Sequence, residues 1–161
     1  MLSNDILQAL KNYTASMQKK ISFVLQTGEH PKRSELVSFL SDIAAVSDKL
    51  QFEERDMQGV LRSPISFAIE AEGEDTGIRF SGIPGGHEFN SLVLAMLQAS
   101  GSDLKLDDSL KRLVANVQDE IHFEVFISLS CHNCPEVVQI LNQFALINPR
   151  ITTEMIDGGL Y

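Results

Sequence analysis

The sequence contains no tryptophan, and only two of its 161 residues are cysteine. Basic residues are also few, since 13 lysines and arginines stand against 22 aspartates and glutamates, for a formal net charge of −9. No segment concentrates lysine and arginine beside aromatic residues, which is the kind of surface that binds phosphate backbones. The composition therefore argues against a nucleic-acid partner. The acidity is explained by solubility, or by attraction to a basic patch on a protein partner.

Long apolar segments are lacking as well. The longest strongly apolar run, residues 92–97, is far shorter than the roughly 20 residues that cross a bilayer. The first residues include an early acid and have no continuous apolar core, so they do not read as a signal peptide. We therefore expect a cytoplasmic protein with no membrane partner. In that compartment a close pair of cysteines is more often catalytic than structural.

Both cysteines lie in one motif, Ser-Cys-His-Asn-Cys-Pro at 130–135. A strand-like run precedes it at 121–129, and a helix-like run follows it at 136–147. Cys-x-x-Cys between a strand and a helix is typical of a thiol–disulfide redox site. The motif therefore predicts redox chemistry at this strand-to-helix junction.

The position of the motif also assigns a role to each sulfur. A helix N-terminus offers unpaired N–H groups and the positive end of the helix dipole, and both favour a thiolate. We expect Cys131 to be the exposed, attacking sulfur. Cys134, buried about one turn into the helix, is expected to close the intramolecular disulfide. Pro135 has no N–H and suits the first helical turn.

Two other interpretations of the cysteine pair stay open. A structural disulfide here would close a very short loop, so it would stabilise the fold only slightly. A zinc site needs roughly four ligands, and the sequence offers one close pair. The four histidines, His30, His87, His122 and His132, are scattered along the chain and form no second pair.

The order of the predicted elements repeats along the chain. Helices are predicted at 5–17, 34–46, 87–99, 107–117 and 136–147, and strands at 21–26, 50–54, 65–70, 78–80, 121–129 and 151–156. The strand pattern from Ile21 recurs 100 residues later (121 − 21), and the helix pattern from Glu35 recurs 101 residues later (136 − 35). We infer an internal duplication. It divides the chain into a first unit, 1–102, and a second unit, 103–161.

Comparison of corresponding positions in the two units indicates which residues are specific to the redox motif. At the shift of 101 residues, Cys131 corresponds to His30 and Cys134 to Arg33, so the first unit lacks the thiols. Those two residues are interpreted either as solvated loop side chains or as positive groups near a partner site. The second unit has only two predicted strands. It would leave an unpaired edge and uncovered apolar side chains, unless it packs on the first unit or a partner. Those side chains are Phe144, Ile147 and Ile156.

The chain resembles a known family. A βαβ unit, a hairpin that opens with Pro64, and a helix follow one another in the order of a thioredoxin fold. Cys-His-Asn-Cys-Pro at 131–135 and Gly-His-Glu-Phe at 86–89 are together specific. With Asn-Pro-Arg at 148–150, they resemble the N-terminal domain of the alkyl hydroperoxide reductase F subunit over essentially the whole chain. The resemblance implies an α/β fold of tandem thioredoxin-like units, the second incomplete, because the family continues for several hundred residues.

The resemblance also implies a function. In that family the domain carries electrons from a C-terminal flavoprotein module, which uses FAD and NAD(P)H, to a peroxiredoxin that reduces alkyl hydroperoxides. Both are the expected partners, and a second copy of the chain is a further candidate. This sequence contains no Gly-x-Gly-x-x-Gly, so FAD and NAD(P)H are expected in the missing module and not in this chain.

The resemblance transfers site residues one by one. Cys131 is the expected nucleophile and Cys134 the resolving thiol. Glu88 matches the acid that the family places near the disulfide, where it could exchange a proton with a thiol; an ordinary acid in the first turn of a helix is the other interpretation. The expected contacts with the substrate protein are His132, Pro135 and Pro64. The last lies where thioredoxin folds carry a cis-proline, and cis and trans both stay open.

Two functions of other classes remain. A truncated chain could be a non-catalytic adaptor whose first unit docks a partner while the thiols are inert. It could also be a general protein disulfide reductase, although the first unit has no cysteine pair and no export signal is present. The redox relay is the function that the motif and the resemblance favour together.

Overall fold

A mixed six-stranded sheet carries the packed helices in the computed structural model, which describes residues 2–161. The helices are α1 (Asn4–Thr14), α2 (Arg33–Ala44), α3 (Phe89–Ala99), α4 (Asp108–Ala115) and α5 (Cys134–Ile147). The strands are β1 (Ile21–Gln26), β2 (Leu50–Arg55), β3 (Ser66–Ala71), β4 (Glu74–Ser81), β5 (Ile121–Ile127) and β6 (Ile151–Asp157). Each predicted element is present, with bounds that differ by a few residues. Within the described range, no helix is both long and apolar enough to cross a membrane.

Side-chain caps mark the starts of two helices, α1 and α4. The Ser3 side chain accepts a hydrogen bond from the Ile6 amide at the start of α1, and Asp107 does the same for Leu110 at the start of α4. Helix α1 ends at Thr14, three residues before its predicted end, where the Thr14 hydroxyl donates to the Leu10 carbonyl. A threonine side chain that bonds to the backbone in this way competes with regular helix.

The hairpin between β3 and β4 is tighter than its sequence suggests. The strands predicted at 65–70 and 78–80 leave a connection of seven residues, 71–77, but Ala71 pairs with Glu74, so only Glu72 and Gly73 form the turn. Both turn residues have positive φ, 52° and 81°. Two residues with positive φ give a turn whose twist matches that of the strands, which lets pairing continue up to the turn.

The duplicated patterns occupy corresponding places in the sheet. Strands β1 and β2 pair in parallel with Ile21 opposite Leu50, and β5 and β6 pair in parallel with Ile121 opposite Ile151. The sheet order is β2-β1-β3-β4-β6-β5, because β6 also pairs in parallel with β4. The second βαβ pattern thus extends one continuous sheet.

That pairing covers most of the apolar surface expected to be exposed. Ile156 has no exposed area, and Phe144 and Ile147 are half-buried. The core centres on the middle strands, where Phe67 stacks on Phe80 with ring centroids 5.2 Å apart. In the described part of the chain, β5 has a partner on one side only, so the sheet has an open edge there.

The loop with the cysteine motif and the loop before α3 lie at the same edge of the sheet. The parallel strands β1, β4, β5 and β6 all end at this edge, and the antiparallel strand β3 begins there. The cysteine motif follows β5 and therefore lies at this edge. The loop before α3, which follows β4, lies there as well.

Candidate functional site

The cysteine pair forms a disulfide between the end of β5 and the start of α5. Cys131 and Cys134 are joined, with their Cα atoms 5.6 Å apart. The Cys131 amide donates to the Ser128 carbonyl over 2.9 Å, which closes a turn directly after the strand. The Cys134 amide donates to Cys131 Sγ over 3.2 Å. The N-cap residue Asn133 makes no side-chain cap, so the sulfur takes this position at the helix N-terminus.

The two sulfurs differ less in burial than the sequence suggests. Both cysteines are half-buried, whereas Cys131 was expected to be exposed. Cys134 is the first residue of α5 and not one turn into it, since the helix N-cap is Asn133 directly before it. Its side chain packs against the hydrophobic core. Pro135 occupies the first helical turn, as predicted.

Glu88 is a buried carboxyl in the short 3-10 turn Gly86–Glu88 that leads into α3. Its side chain has no exposed area. One oxygen, Oε1, accepts a hydrogen bond from the Ser91 hydroxyl over 2.7 Å, and Gln139 of α5 donates to that hydroxyl over 3.2 Å. The other oxygen, Oε2, has no hydrogen-bond partner among the described residues.

Burial controls the protonation of this carboxyl. Desolvation raises the pKa of Glu88, while the Ser91 hydrogen bond and the neighbouring His87 oppose the rise. An exposed first-turn acid would not behave in this way. Glu88 is therefore not an exposed first-turn acid, and its role beside the disulfide stays a prediction.

The turn before α3 docks on the segment that leads into the cysteine motif. The His87 amide donates to the Leu129 carbonyl over 3.2 Å. Gly86 has φ +54°, and a Cβ atom there would lie 2.9 Å from the same carbonyl oxygen. The His87 and His132 rings are in contact, with centroids 4.5 Å apart and planes tilted by 58°. Both rings are exposed to solvent.

His87 was not singled out from the sequence, although it stands in the Gly-His-Glu-Phe motif. Nothing in the order of residues brings position 87 to position 132. Only the pairing of β6 with β4 places the end of β4 one strand away from the end of β5 and its loop. A histidine directly before a predicted site acid was the one local signal available.

Pro64 lies elsewhere on the same edge of the sheet. It precedes β3, which two strands separate from β5, a distance of about 14 Å across the sheet. Its carbonyl accepts from Arg33, and its ring faces Gly28. The peptide bond before it is not cis. The structure therefore does not bring Pro64 to the disulfide, and its contact with a substrate stays a prediction.

Arg33 takes the place that the second cysteine has in the other βαβ pattern. Its guanidinium donates to the carbonyls of Gln26 and Pro64 and pairs with Glu54 over 2.8 Å. The side chain is only 15% exposed. Arg33 therefore joins the ends of β1, β2 and β3, and is not a solvated relic.

One cluster of possible metal ligands lies away from the cysteines. In the described chain, His122, Glu124 and Glu154 bring ligand atoms within 4.8 Å of one another. The guanidinium of Arg62 already pairs with both carboxylates. Burial tends to raise the pKa of Glu154, but hydrogen bonds from Arg62 and Ser81 together with the Arg62 charge hold it below the usual range. This cluster is an ion pair with an arginine as its cation.

Comparison with known proteins gives close relatives. The chain is 44% identical over all 161 residues to the F subunit of the alkyl hydroperoxide reductase of Staphylococcus aureus strain Mu50, and 41% identical over the same length to an NADH dehydrogenase of Bacillus subtilis strain 168. It covers 31% of each, so it spans about a third of the length of these curated relatives. No protein-family model matches.

Solved structures agree with the fold. The NTD_N/C domain of the alkyl hydroperoxide reductase from Enterococcus faecalis V583 superposes with a TM-score of 0.89 at 33% identity, covering 99% of this chain and 82% of that one. A protein disulfide oxidoreductase from Aeropyrum pernix K1 superposes with a TM-score of 0.85 at 21% identity, covering 99% and 76%. The second likeness concerns the fold alone. The predicted α/β, thioredoxin-like fold and the predicted resemblance are both confirmed.

Proposed function

The chain belongs to the family of alkyl hydroperoxide reductase F subunits, of which it corresponds to the N-terminal domain, and on that premise we propose that it is a thiol–disulfide relay. It takes two electrons from a flavoprotein module and passes them to a peroxiredoxin that reduces alkyl hydroperoxides. The observation that carries the proposal is the disulfide at the N-terminus of α5, with the Cys134 amide donating to Cys131 Sγ.

The relay proceeds by two exchange steps. The Cys131 thiolate attacks one sulfur of the peroxiredoxin disulfide, forming a bond between the proteins while the partner's disulfide breaks and one partner thiolate leaves. Cys134 loses its proton and attacks Cys131 Sγ, which closes the internal disulfide and releases the second partner thiolate. Two electrons have then moved to the peroxiredoxin. A dithiol of the flavoprotein module reduces the internal disulfide again.

The helix N-terminus supports this assignment of roles. The N–H of Cys134 and the positive end of the α5 dipole both stabilise negative charge on Cys131 Sγ. Cys134 packs against the core, where a partner has less access to it. The sulfur that receives the hydrogen bond is therefore the better nucleophile, and the inner sulfur is placed to resolve the mixed disulfide.

Glu88 is the proposed proton acceptor for the resolving step. A general base works best when its pKa lies near the operating pH. Burial raises the pKa of Glu88, which makes the carboxylate a stronger base than an exposed one. Its unpartnered Oε2 has free capacity to bind a proton.

The remaining assignments follow from position. His132 is exposed and Pro135 half-buried at the disulfide, so both suit contact with the partner protein; Pro64 stays a less direct candidate. The matching parallel registers of β1 with β2 and of β5 with β6 support the division into units 1–102 and 103–161. Association of two copies stays a prediction, which light scattering coupled to size-exclusion chromatography measures.

FAD and NAD(P)H belong to the flavoprotein module in this proposal. The three strand-to-helix connections of this chain, 27–32, 82–88 and 128–133, lack the Gly-x-Gly-x-x-Gly fingerprint that brings a helix N-terminus against a pyrophosphate. The residues present do not fit a dinucleotide, so no step of the relay in this chain runs through one. Cytosolic NAD(P)H as the ultimate reductant is our reason for proposing a cytoplasmic location.

Trapping the mixed disulfide tests the proposal. Reduced Cys134→Ser chain, with Cys131 intact, is mixed with oxidised peroxiredoxin and separated on a non-reducing gel. We expect a one-to-one adduct that dithiothreitol reduces back to the separate proteins. The matched Cys131→Ser variant should form much less of this adduct. If Cys134→Ser gives no adduct, the relay assignment is wrong and the inert adaptor is favoured. Equal trapping by both variants would show that either cysteine can attack the partner, so the assignment of distinct roles would be wrong.

A further inference from the structure

We propose that Ser91 is a positioning residue of the relay. Its hydroxyl, bound in turn by Gln139, fixes Oε1 of Glu88 and leaves Oε2 as the oxygen that takes and returns the proton. This assignment rests on the proposed function, because a positioning residue needs a reaction to serve. The contact between Ser91 and Glu88 does not rest on that function and is tested separately.

The two hydrogen bonds of the Ser91 hydroxyl have a defined direction. The side chain has no exposed area, donates to Glu88 Oε1 over 2.7 Å, and accepts from the Gln139 amide over 3.2 Å. A hydroxyl has a single proton to donate. Because the Gln139 amide approaches it as a donor, that proton points to the carboxyl. Ser91 therefore links α5 to the turn that carries Glu88.

This contact is not an ordinary helix cap. Glu88 is the N-cap residue of α3, and Ser91 lies three residues further along. A capping side chain at that position accepts a hydrogen bond from a backbone amide of the first turn. The Glu88 side chain makes no such bond and is held by a hydroxyl instead. Capping of α3 therefore does not explain why these two side chains meet.

The two oxygens of the Glu88 carboxyl have different surroundings. Oε1 accepts from Ser91, whereas Oε2 is buried without a hydrogen-bond partner among the described residues. An ionised carboxylate only accepts hydrogen bonds, and a protonated one carries an O–H group. A proton on Oε2 leaves the Ser91 bond intact. A proton on Oε1 would meet the Ser91 hydroxyl proton, so protonation should occur at Oε2.

The ionised form of Glu88 depends on Ser91. Burial raises the pKa of Glu88, and the Ser91 hydrogen bond opposes the rise more than the charge of His87 does. Helix α3 has no titratable side chain. The turn also packs against α5 and the segment before it, which carry Cys131, His132, Cys134 and Glu136. Removal of the Ser91 hydroxyl should therefore raise the pKa of Glu88 and leave less carboxylate near neutral pH.

A two-step reaction of the reduced chain measures the effect on thiol exchange without peroxiredoxin. A limiting amount of dithiobis(nitrobenzoic acid) releases one coloured thiolate when Cys131 attacks it, and a second when Cys134 closes the internal disulfide. We expect Ser91→Ala to move the acid limb of the second phase upward by about one pH unit, which makes that phase about tenfold slower at acid pH. The first phase should not change.

Two spectroscopic measurements follow Glu88 directly. NMR of isotope-labelled carboxyl carbons gives its titration, with the signal assigned by its absence in Glu88→Gln. We expect the same upward shift of about one pH unit in Ser91→Ala. Infrared spectroscopy at acid pH locates the proton. If Oε2 carries it, Oε1 is the carbonyl oxygen, so loss of the Ser91 hydrogen bond should move the C=O band of Glu88 to higher wavenumber.

Two further serine variants complete the test. The Ser109 hydroxyl also donates to a carboxylate, that of Asp107 over 3.1 Å, but in an exposed position on α4. The matched control Ser109→Ala should therefore leave the Glu88 titration and both phases unchanged. Ser91→Thr keeps the hydroxyl and should restore most of the titration and of the second phase. Circular dichroism of each variant verifies folding.

The outcomes separate the proposal from the function on which it rests. If Glu88 titrates in Ser91→Ala as in the unaltered chain, or if Ser91→Ala and Ser91→Thr shift it equally, the hydroxyl does not control the carboxyl and the proposal is wrong. It is also wrong if the titration moves while the second phase does not. An unmoved C=O band would place the proton on Oε1 and overturn the assignment of Oε2.

Two results would instead count against the proposed function. If Glu88→Gln leaves the second phase unchanged, Glu88 is not the proton acceptor, and Ser91 has no reaction to serve. A chain that shows every expected shift yet traps no peroxiredoxin would count against the peroxiredoxin relay and leave the role of Ser91 in closing the disulfide standing.

Discussion

The Cys134 amide donates to Cys131 Sγ over 3.2 Å, so the outer sulfur of the pair stands where a capping side chain would normally stand. A capping group at this position faces the unpaired amides of the first helical turn. When the disulfide opens, the same amide remains as a donor to the Cys131 thiolate. Through this contact, the N-terminus of α5 is expected to make the Cys131 sulfur more reactive.

The first prediction concerns that thiolate. We expect the Cys131 thiol in reduced Cys134→Ser chain to have a pKa below the free-cysteine value of about 8.5, because N–H donation and the helix dipole stabilise the anion. The rate of alkylation by iodoacetamide as a function of pH measures it. The same rate in urea-unfolded chain is the internal control. A folded-state pKa near 8.5 would contradict the prediction and favour inert thiols.

The second prediction concerns Glu88→Gln. Burial raises the pKa of Glu88 in the folded chain above its usual value, so the folded state binds the proton more tightly than the unfolded state. The unaltered chain therefore loses stability as pH rises from the usual carboxyl range through the raised value. The variant has no such charge to bury. We expect a Tm at pH 7 higher by about 2–4 °C, and no gain near pH 4.

Thermal unfolding between pH 4 and 8 measures this difference. Glu136→Gln, an exposed acid in the first turn of α5, is the matched control and should show no such pH-dependent gain. The Glu88 variant should also resolve mixed disulfides more slowly, since the proton acceptor is gone. A Tm gain that is equal at pH 4 and pH 7 would mean that Glu88 carries no charge to desolvate.

The third prediction concerns Gly86→Ala. Its Cβ would lie 2.9 Å from the Leu129 backbone oxygen, which is closer than real Cβ contacts, so the turn and the cysteine loop must separate. Gly59→Ala is the control, because Gly59 also has positive φ, +90°, but no atom lies within 4 Å of its Cβ position. Left-handed backbone alone costs roughly 1–2 kcal/mol for a residue with a Cβ.

We expect Gly86→Ala to lower the free energy of unfolding by at least about 1 kcal/mol more than Gly59→Ala, as overpacking does. Urea unfolding measures both. The Gly86 variant should also shift the thiol–disulfide equilibrium in a glutathione buffer, whereas the control should not. If both variants lose the same free energy of unfolding, the backbone near Leu129 accommodates the added Cβ atom without strain.

The fourth prediction concerns Arg62→Met. The side chain of Glu154 is only 7% exposed and depends on Arg62 for its charge partner. Removing the arginine leaves a buried carboxylate unpaired, so we expect a loss of about 2–3 kcal/mol at pH 7, below the 3–5 kcal/mol of a fully buried pair because Arg62 is partly exposed.

The pH dependence of that loss has a definite sign. Arg62 holds the pKa of Glu154 below its usual value, so the pair contributes stability above the usual carboxyl range and loses it as pH falls through the lowered value. The gap between variant and unaltered chain should therefore narrow below about pH 4.5. Lys32→Met, which breaks an exposed pair with Glu35, should cost no more than about 0.5 kcal/mol at any pH.

The sequence by itself determined the features that depend on neighbours along the chain. Alternation and helical periodicity placed every strand and helix, and the cysteines between a strand and a helix indicated the chemistry, because backbone propensity and helix capping act over a few residues. The repeat at 100 and 101 residues likewise anticipated the matched registers of the two parallel strand pairs. Two bounds differed from the prediction for local reasons. The hairpin turn is shorter because two turn residues have positive φ, and α1 ends earlier at a threonine whose side chain bonds to the backbone.

Only the tertiary structure decided which distant residues meet and which are shielded from water. The pairing of β6 with β4 buried Ile156 and brought His87 to His132, and packing between α3 and α5 enclosed Glu88. Arg33 became a link between strand ends, and Pro64 lay across the sheet from the disulfide. These outcomes depend on strand order and on desolvation. Both are properties of the assembled sheet and its packed helices, and no short stretch of sequence contains them.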